Sequence, residues 1–157
     1  EGVVGLDATI AGYAHEAGRC VILAVNKWDI ASGKKRADFT QQVRDELKFA
    51  DYAPIAHISA KNARGTKALF EMIRKSYESA IKRVTTGELN RFVEHIGYDK
   101  ELKIYYIAQH GIRPPTFSIF TDKGPKMHFS TQRFIVNRLR KEFGFYGTPI
   151  VLNPKRR

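Results

Sequence analysis

The chain has 157 residues, 43% of them hydrophobic and 11% aromatic, enough to bury one good core or two small ones. Its net charge of +11 is lopsided: residues 1–80 hold 12 Lys/Arg against 10 Asp/Glu, whereas residues 81–157 hold 15 against 6, which leaves +9 in the second half. That asymmetry points to a polyanionic partner more than to general solubility. The lone Cys20 excludes an intrachain disulfide, and no run of eighteen apolar residues offers a membrane span.

The opening Glu1-Gly2-Val3-Val4-Gly5 has no initiator Met and no signal-peptide pattern, and it reads as starting in mid-domain. Helix is expected from Asp7 to Glu16, with Gly18 as its stop, and residues 20–25 have the apolar run of a buried strand. Cys20 at the head of that strand is expected to be an inert core thiol. A helix over 36–49 would place Phe39, Val43 and Leu47 on one face. A strand follows at 55–58, then a helix over 66–83 with Leu69, Phe70, Ile73 and Tyr77 inward. Alternating helix and strand is right-handed βαβ material, and it calls for a parallel sheet covered on both faces. With only two strands here, one apolar face would be left bare, and the piece by itself is expected to be poorly soluble.

Past Arg83 the pattern changes. Thr85 and Glu88 have the spacing of a capping box, opening a helix that carries Leu89, Phe92, Val93 and Ile96. Strands are expected at 102–109 and 117–121, interrupted by Gly111-Ile112-Arg113-Pro114-Pro115. Ser130 would cap a helix over 131–143 with Phe134, Ile135, Leu139 and Phe143 inward, and a last strand spans 148–153. The fold class is therefore α/β over residues 1–83, followed by a small α+β domain with a three-stranded sheet over 84–157.

Two strand ends carry the chemistry. Asn26-Lys27-Trp28-Asp29 follows the first strand and resembles the N-K-x-D segment with which P-loop GTPases read guanine. One carboxylate, Asp29, can accept both the ring N–H and the exocyclic amine of guanine, a paired contact that adenine does not match. The Lys27 stem would lie over the ring, Asn26 would tie the loop to neighbouring backbone, and Trp28 is the unconstrained letter. Ser59-Ala60-Lys61 follows the next strand and resembles the S-A-K segment of the same enzymes, in which the Ala60 N–H would donate to the guanine oxygen. Taken singly, Asn26, Asp29 and Ser59 are ordinary turn and cap residues. The ordered pair of motifs at parallel strand ends fits a ligand crevice. No G-x-x-x-x-G-K-[ST] loop and no Mg²⁺-binding segment precedes them, so this chain by itself is expected to be inactive as a GTPase.

Almost end to end, the chain resembles the EngA or Der family of tandem-G-domain bacterial GTPases. The likeness runs through Glu1-Gly2-Val3 to Asp7, Ile10-Ala11-Gly12-Tyr13, Val25 to Asp29, Tyr52-Ala53-Pro54-Ile55, Ser59-Ala60, and Thr86 with Leu89-Asn90-Arg91. Arg113-Pro114-Pro115-Thr116-Phe117 and Phe143-Gly144-Phe145 with Gly147-Thr148-Pro149-Ile150 are the most specific stretches. The resemblance implies the end of a second G domain joined to a KH-like domain. It further implies a cytoplasmic protein that binds GTP or GDP with Mg²⁺, whose ligands lie outside this chain, and hydrolyses GTP. Its implied partners are its own preceding G domains and the RNA of the maturing large ribosomal subunit, with neither membrane nor DNA among them.

Gly144-Phe145-Tyr146-Gly147 spells G-x-x-G, but it follows a helix and precedes a strand, whereas the phosphate-clamping KH loop joins two helices. Its glycines are expected to serve as a helix stop and a turn. The candidates for RNA contact are Arg133, Arg138, Arg140 and Lys141 on the last helix, with Arg113, Lys123 and Lys126 in loops. Some of these, Arg113 above all, could instead pack against a G domain. Tyr105 and Tyr106 could offer a stacking ring, although neighbours in a strand face opposite ways. The five histidines have no metal-ligand spacing, and the Lys34-Lys35-Arg36 run suits a solvated loop. Two other readings stay open: a single-G-domain GTPase with a true RNA-binding KH domain, and a non-catalytic RNA-binding or interaction module.

Overall fold

The computed structural model describes Val3 and residues 5–31, 35–97 and 102–156. The Glu1-Gly2 opening and Lys34 of the basic run lie outside the described residues. The chain divides into two compact units, one formed by residues 1–78 with Tyr146–Thr148, the other by Ser79–Phe145 with 149–157.

In the first unit the order is α1 (Gly5–Glu16), β1 (Leu23–Val25), α2 (Arg36–Glu46), β2 (Ile55–His57) and α3 (Thr66–Ala80). The strands are parallel, with Leu23 opposite Ile55 and Val25 opposite His57, as βαβ connectivity requires. Both strands are shorter than their apolar runs. Residues 20–22 precede the ladder, and the Val21 N–H is taken by Gly147 O at 3.0 Å. Cys20 is exposed, its thiol 3.5 Å from Ser76 O, so the expected core thiol lies at the surface: the ladder begins three residues later than the apolar run does. Gly147, at φ +64°, has no room for a side chain, because an added Cβ would fall 2.0 Å from Ser76 Oγ.

The core of this unit gathers Ala11 of α1, Val21, Val43 of α2, Leu47, Ala50 and Ala53, with Phe39 packed against it. Phe39, Val43 and Leu47 thus share the inward face expected of them. The helix α3 departs from expectation: Ser76 is buried, whereas Phe70, Ile73 and Tyr77 are exposed, as are Leu6, Ile10 and Tyr13 of α1. Helical spacing put the apolar residues on one face, but among the described residues no second layer covers that face. The β1 strand pairs only with β2 among the described residues, and its flank opens on a groove of about 960 Å³ lined by Ile10, Val21, Leu23, Val25 and Phe39.

The second unit runs α4 (Thr86–His95), β3 (Ile104–Gly111), β4 (Thr116–Thr121), α5 (Phe129–Phe143) and β5 (Val151–Arg156). Thr85 caps α4 as its spacing predicts. The Glu88 N–H donates to Thr85 Oγ1 at 3.3 Å, and the Thr85 N–H donates to the Glu88 carboxylate at 2.8 Å. The cap of α5 differs from expectation. His128 occupies the cap position and accepts from the Ser130 N–H at 3.2 Å, while the Ser130 hydroxyl pairs with His128 Nδ1 at 2.7 Å.

The sheet has the order β3-β4-β5, antiparallel then parallel. Its inner face presents Ile107, Phe117 and Ile119 to Leu89 and Phe92 of α4 and to Ile135 and Leu139 of α5, with Phe145 closing the core. Both helices therefore pack on one side. Gly144 ends α5 in the left-handed region at φ +71°, its N–H on Arg140 O at 2.8 Å, so the first glycine of the G-x-x-G string is a helix stop. No helix among the described residues is long and apolar enough to cross a membrane.

Candidate functional site

Parallel pairing places the carboxyl ends of β1 and β2 side by side, and the two motifs emerge there together. Backbone stitches fix them: Ile58 N–H donates to Val25 O at 2.9 Å, and Trp28 N–H donates to Ile58 O at 3.0 Å. Asn26 supplies the third stitch. Its Oδ1 accepts the Lys27 N–H at 2.7 Å and, across the sequence, the Ala60 N–H at 3.0 Å. The Ala60 donor expected to face a guanine oxygen is thus engaged by Asn26 in this structure, because a side-chain acceptor on the neighbouring loop lies within reach of it.

Lys27 sits in the left-handed region at φ 60°, which turns the chain sharply so that Trp28–Ile30 coils as a short 3-10 turn. Asp29 in that turn is exposed. The Ser59 hydroxyl is the largest influence and holds its carboxyl below the usual 3.8; burial, second in size, opposes it, and the backbone amide of Asp29 and the charges of Lys61 and Arg64 add smaller lowering effects. The Ser59 oxygen is itself enclosed and makes no hydrogen bond among the described residues. The result is an exposed carboxylate that stays ionised, flanked by two cations, which is what paired acceptance from two N–H donors requires. Ala60 and Lys61 are exposed beside it.

Three further residues shape the site without having been singled out. Trp28, the unconstrained letter, stands edge-on to His57 with ring centroids 4.5 Å apart and to Phe39 at 5.8 Å, and the Arg36 guanidinium lies 5.9 Å from its ring. It anchors the turn that carries Asp29. His57 lies 3.4 Å from Thr40 Oγ1, and burial, then the Arg36 charge, lowers its pKa from 6.5. The loop after Ser59 closes by Ser59 N–H on Arg64 O at 2.9 Å, and Gly65 follows at φ +77°, where a Cβ would strike His57 O at 2.5 Å. A glycine just before a helix was the available signal.

The basic candidates divide by exposure. Arg113, Lys123, Lys126, Arg133 and Lys141 are exposed. Arg138 is half-buried with its Nε enclosed and unpartnered, and the half-buried Arg140 donates from Nη1 to Phe145 O. Arg113 donates its own N–H to Ala80 O at 3.0 Å. Among the described residues no cluster of three or more His, Cys, Asp or Glu could hold a metal ion.

The geometry defines a class: a mixed α/β unit with two parallel strands among the described residues, followed by an α+β unit of KH-like character. Residues 83–155 match the family described as KH-domain-like of EngA bacterial GTPase enzymes, C-terminal. The whole chain is 39% identical over 167 residues to GTPase Der of Staphylococcus carnosus strain TM300, covering 38% of that protein. It is 43% identical over 162 residues to GTPase Der of Geobacillus sp. strain WCH70, with 96% of this chain and 37% of that protein covered. GTPase Der of Thermoanaerobacter sp. strain X514 is 42% identical over 167 residues, with 100% and 38% covered. The chain belongs to the EngA/Der family and spans about two fifths of the length of these relatives.

Proposed function

We propose that this chain is the guanine-reading part and KH-like domain of a protein that binds GTP and GDP, hydrolyses GTP and acts in maturation of the large ribosomal subunit. The observation that carries the reading is the pair of loops stitched by Asn26, which holds an ionised, exposed Asp29 next to Ser59, Ala60 and Lys61 at the ends of two parallel strands. Asp29 would accept the two N–H donors of guanine, and Lys27 would cover the ring. The Ala60 N–H would turn from Asn26 to the base oxygen when the base arrives. Phosphate and Mg²⁺ contacts belong to residues outside this chain, in keeping with the share of its relatives that it spans. That the relatives are named GTPases supports the hydrolytic reading for the intact protein. The exposed cations of the second unit and its +9 balance support an RNA partner.

The reading is tested by Asp29→Asn in the intact protein. An amide donates where the carboxylate accepted, so guanine binding should weaken roughly tenfold to a hundredfold, the value of a charge-assisted contact, and xanthine nucleotides should gain. Comparing GTP and XTP affinities reads both changes. If neither moves, Asp29 is a turn residue and the guanine assignment fails.

A further inference from the structure

We propose that the outer face of the β3-β4-β5 sheet is a stacking platform for single-stranded RNA, with Tyr106 as the ring that receives a base. The proposal rests on the reading of an RNA partner and adds a site, separate from the basic helix α5, that recognises bases rather than phosphates.

Both helices of this unit pack on the inner face, through Ile107, Phe117 and Ile119. The outer face carries a different set. Tyr106 stands opposite Phe120, and Phe120 opposite Lys155, so one row across the three strands reads ring, ring, ammonium. The next row reads Ala108, Ser118, Asn153, and His110 reaches over to Ser118 with its Nδ1 3.3 Å from the hydroxyl. Tyr106 and Phe120 are stacked, with centroids 4.2 Å apart and planes 15° from parallel. Phe120 is half-buried, while Tyr106 keeps 40% of its surface exposed. A ring pair set nearly parallel at the surface of a sheet, one member backed and the other open, can be extended by a further flat ring. The bulge between Ile104 and Tyr106 separates Tyr105 from that row. Lys103 Nζ lies 5.4 Å from the Tyr105 ring, which adds a cation at the strand's edge.

Charge selects the occupant. The eight, six and six residues of the three strands include no Asp or Glu, and β5 ends in exposed Lys155 and Arg156. Two rings, an imidazole, an amide and an ammonium stand among Ala108, Ser118 and Val151 on strands free of acids, with Asp122 just past β4 accepting the Lys103 N–H at 3.1 Å, and such a face suits a polyanion that carries flat bases. A protein partner would be expected to find a continuous apolar centre, whereas the row next to the rings sets the Asn153 amide and the buried Ser118 hydroxyl beside Ala108. A duplex would not serve, because its bases are already stacked on each other.

The test titrates the full protein against an unstructured single-stranded RNA about 12 nucleotides long, and against a duplex of the same sequence, by fluorescence anisotropy. Tyr106→Ala should weaken single-strand binding roughly tenfold or more, Tyr106→Phe and Tyr106→Trp should preserve it, and duplex binding should be unchanged. Tyr106→Leu keeps apolar bulk without the ring and should lose binding while retaining the parental thermal melt, which guards against a folding artefact. Lys155→Ala should reduce the salt dependence by about one phosphate contact. The proposal is overturned if Tyr106→Ala or Tyr106→Leu binds the single strand as the parent does, whether or not a protein partner is lost instead. If Tyr106→Ala is silent while charge reversal on α5 still weakens binding, the platform fails and the RNA reading stands. If both are silent, both fail.

Discussion

Gly65→Ala is the sharpest local test of how the site is held. The glycine sits at φ +77°, a region that costs an L-residue about 1–2 kcal/mol. An added Cβ would lie 2.5 Å from His57 O, 3.2 Å from Ile58 Cγ2 and 3.3 Å from Ile58 Cα. The nearest of these atoms is backbone of β2 and its exit, so it can yield only by shifting the strand that pairs with β1, a packing strain of about 1–3 kcal/mol. The two contributions together come to about 2–5 kcal/mol, a large share of a small unit's stability. Relief by movement of the loop instead would break the Ser59 N–H bond to Arg64 O and displace Ser59 from Asp29. The substitution should therefore lower the thermal midpoint and weaken guanine nucleotide binding together in the intact protein. Thermal unfolding followed by circular dichroism, beside nucleotide titration, measures both. A variant within about 0.5 kcal/mol of the parent, with unchanged affinity, would refute the close approach of Gly65 to His57.

Two further outcomes are expected. His57 has its pKa lowered by burial and by Arg36, so the unfolded chain binds the proton more readily than the folded one. Its contribution to stability is then full above about pH 6.5 and is lost as pH falls toward the folded value; His57→Gln should flatten the dependence of the melting point between about pH 7.5 and 5.5, and an unaltered slope would count against it. Replacing exposed Lys126, Arg133 and Lys141 by Glu should weaken association with large-subunit particles and flatten its salt dependence while leaving GTP hydrolysis nearly intact; collapse of hydrolysis with binding unchanged would place these charges in an inter-domain role.

The site loops could be read from the sequence because their chemistry is local. A short motif at a strand end fixes donors, acceptors and turn geometry within a few residues, and the Asn26 bridge to Ala60 is the form that the tie to neighbouring backbone takes. The capping box at Thr85 and the helix stop at Gly144 were legible for the same reason. What escaped was set by groups far apart in sequence. Periodicity shows that Phe70, Ile73 and Tyr77 share a face of α3, but it does not say whether anything lies against that face. An apolar run shows that residues 20–25 favour an extended backbone, but ladder pairing begins only where β2 stands opposite, which leaves Cys20 exposed. Ser130 and His128 are both competent caps, and which backbone position starts α5 decided between them. Trp28 looked arbitrary because its partners, Phe39 and His57, lie on other elements.

Tyr146–Thr148 belong to the first unit although they follow Phe145 in the chain, and Gly147 there accepts the Val21 N–H. The first unit is therefore discontinuous, and its last three residues are translated only after nearly all of the second. During synthesis, strand pairing between β1 and β2 can form early, but the segment that fills the space beside Ser76 arrives late. A nascent chain arrested before residue 146 would hold an unfinished first unit, and a premature stop there would be a lesion in both units at once.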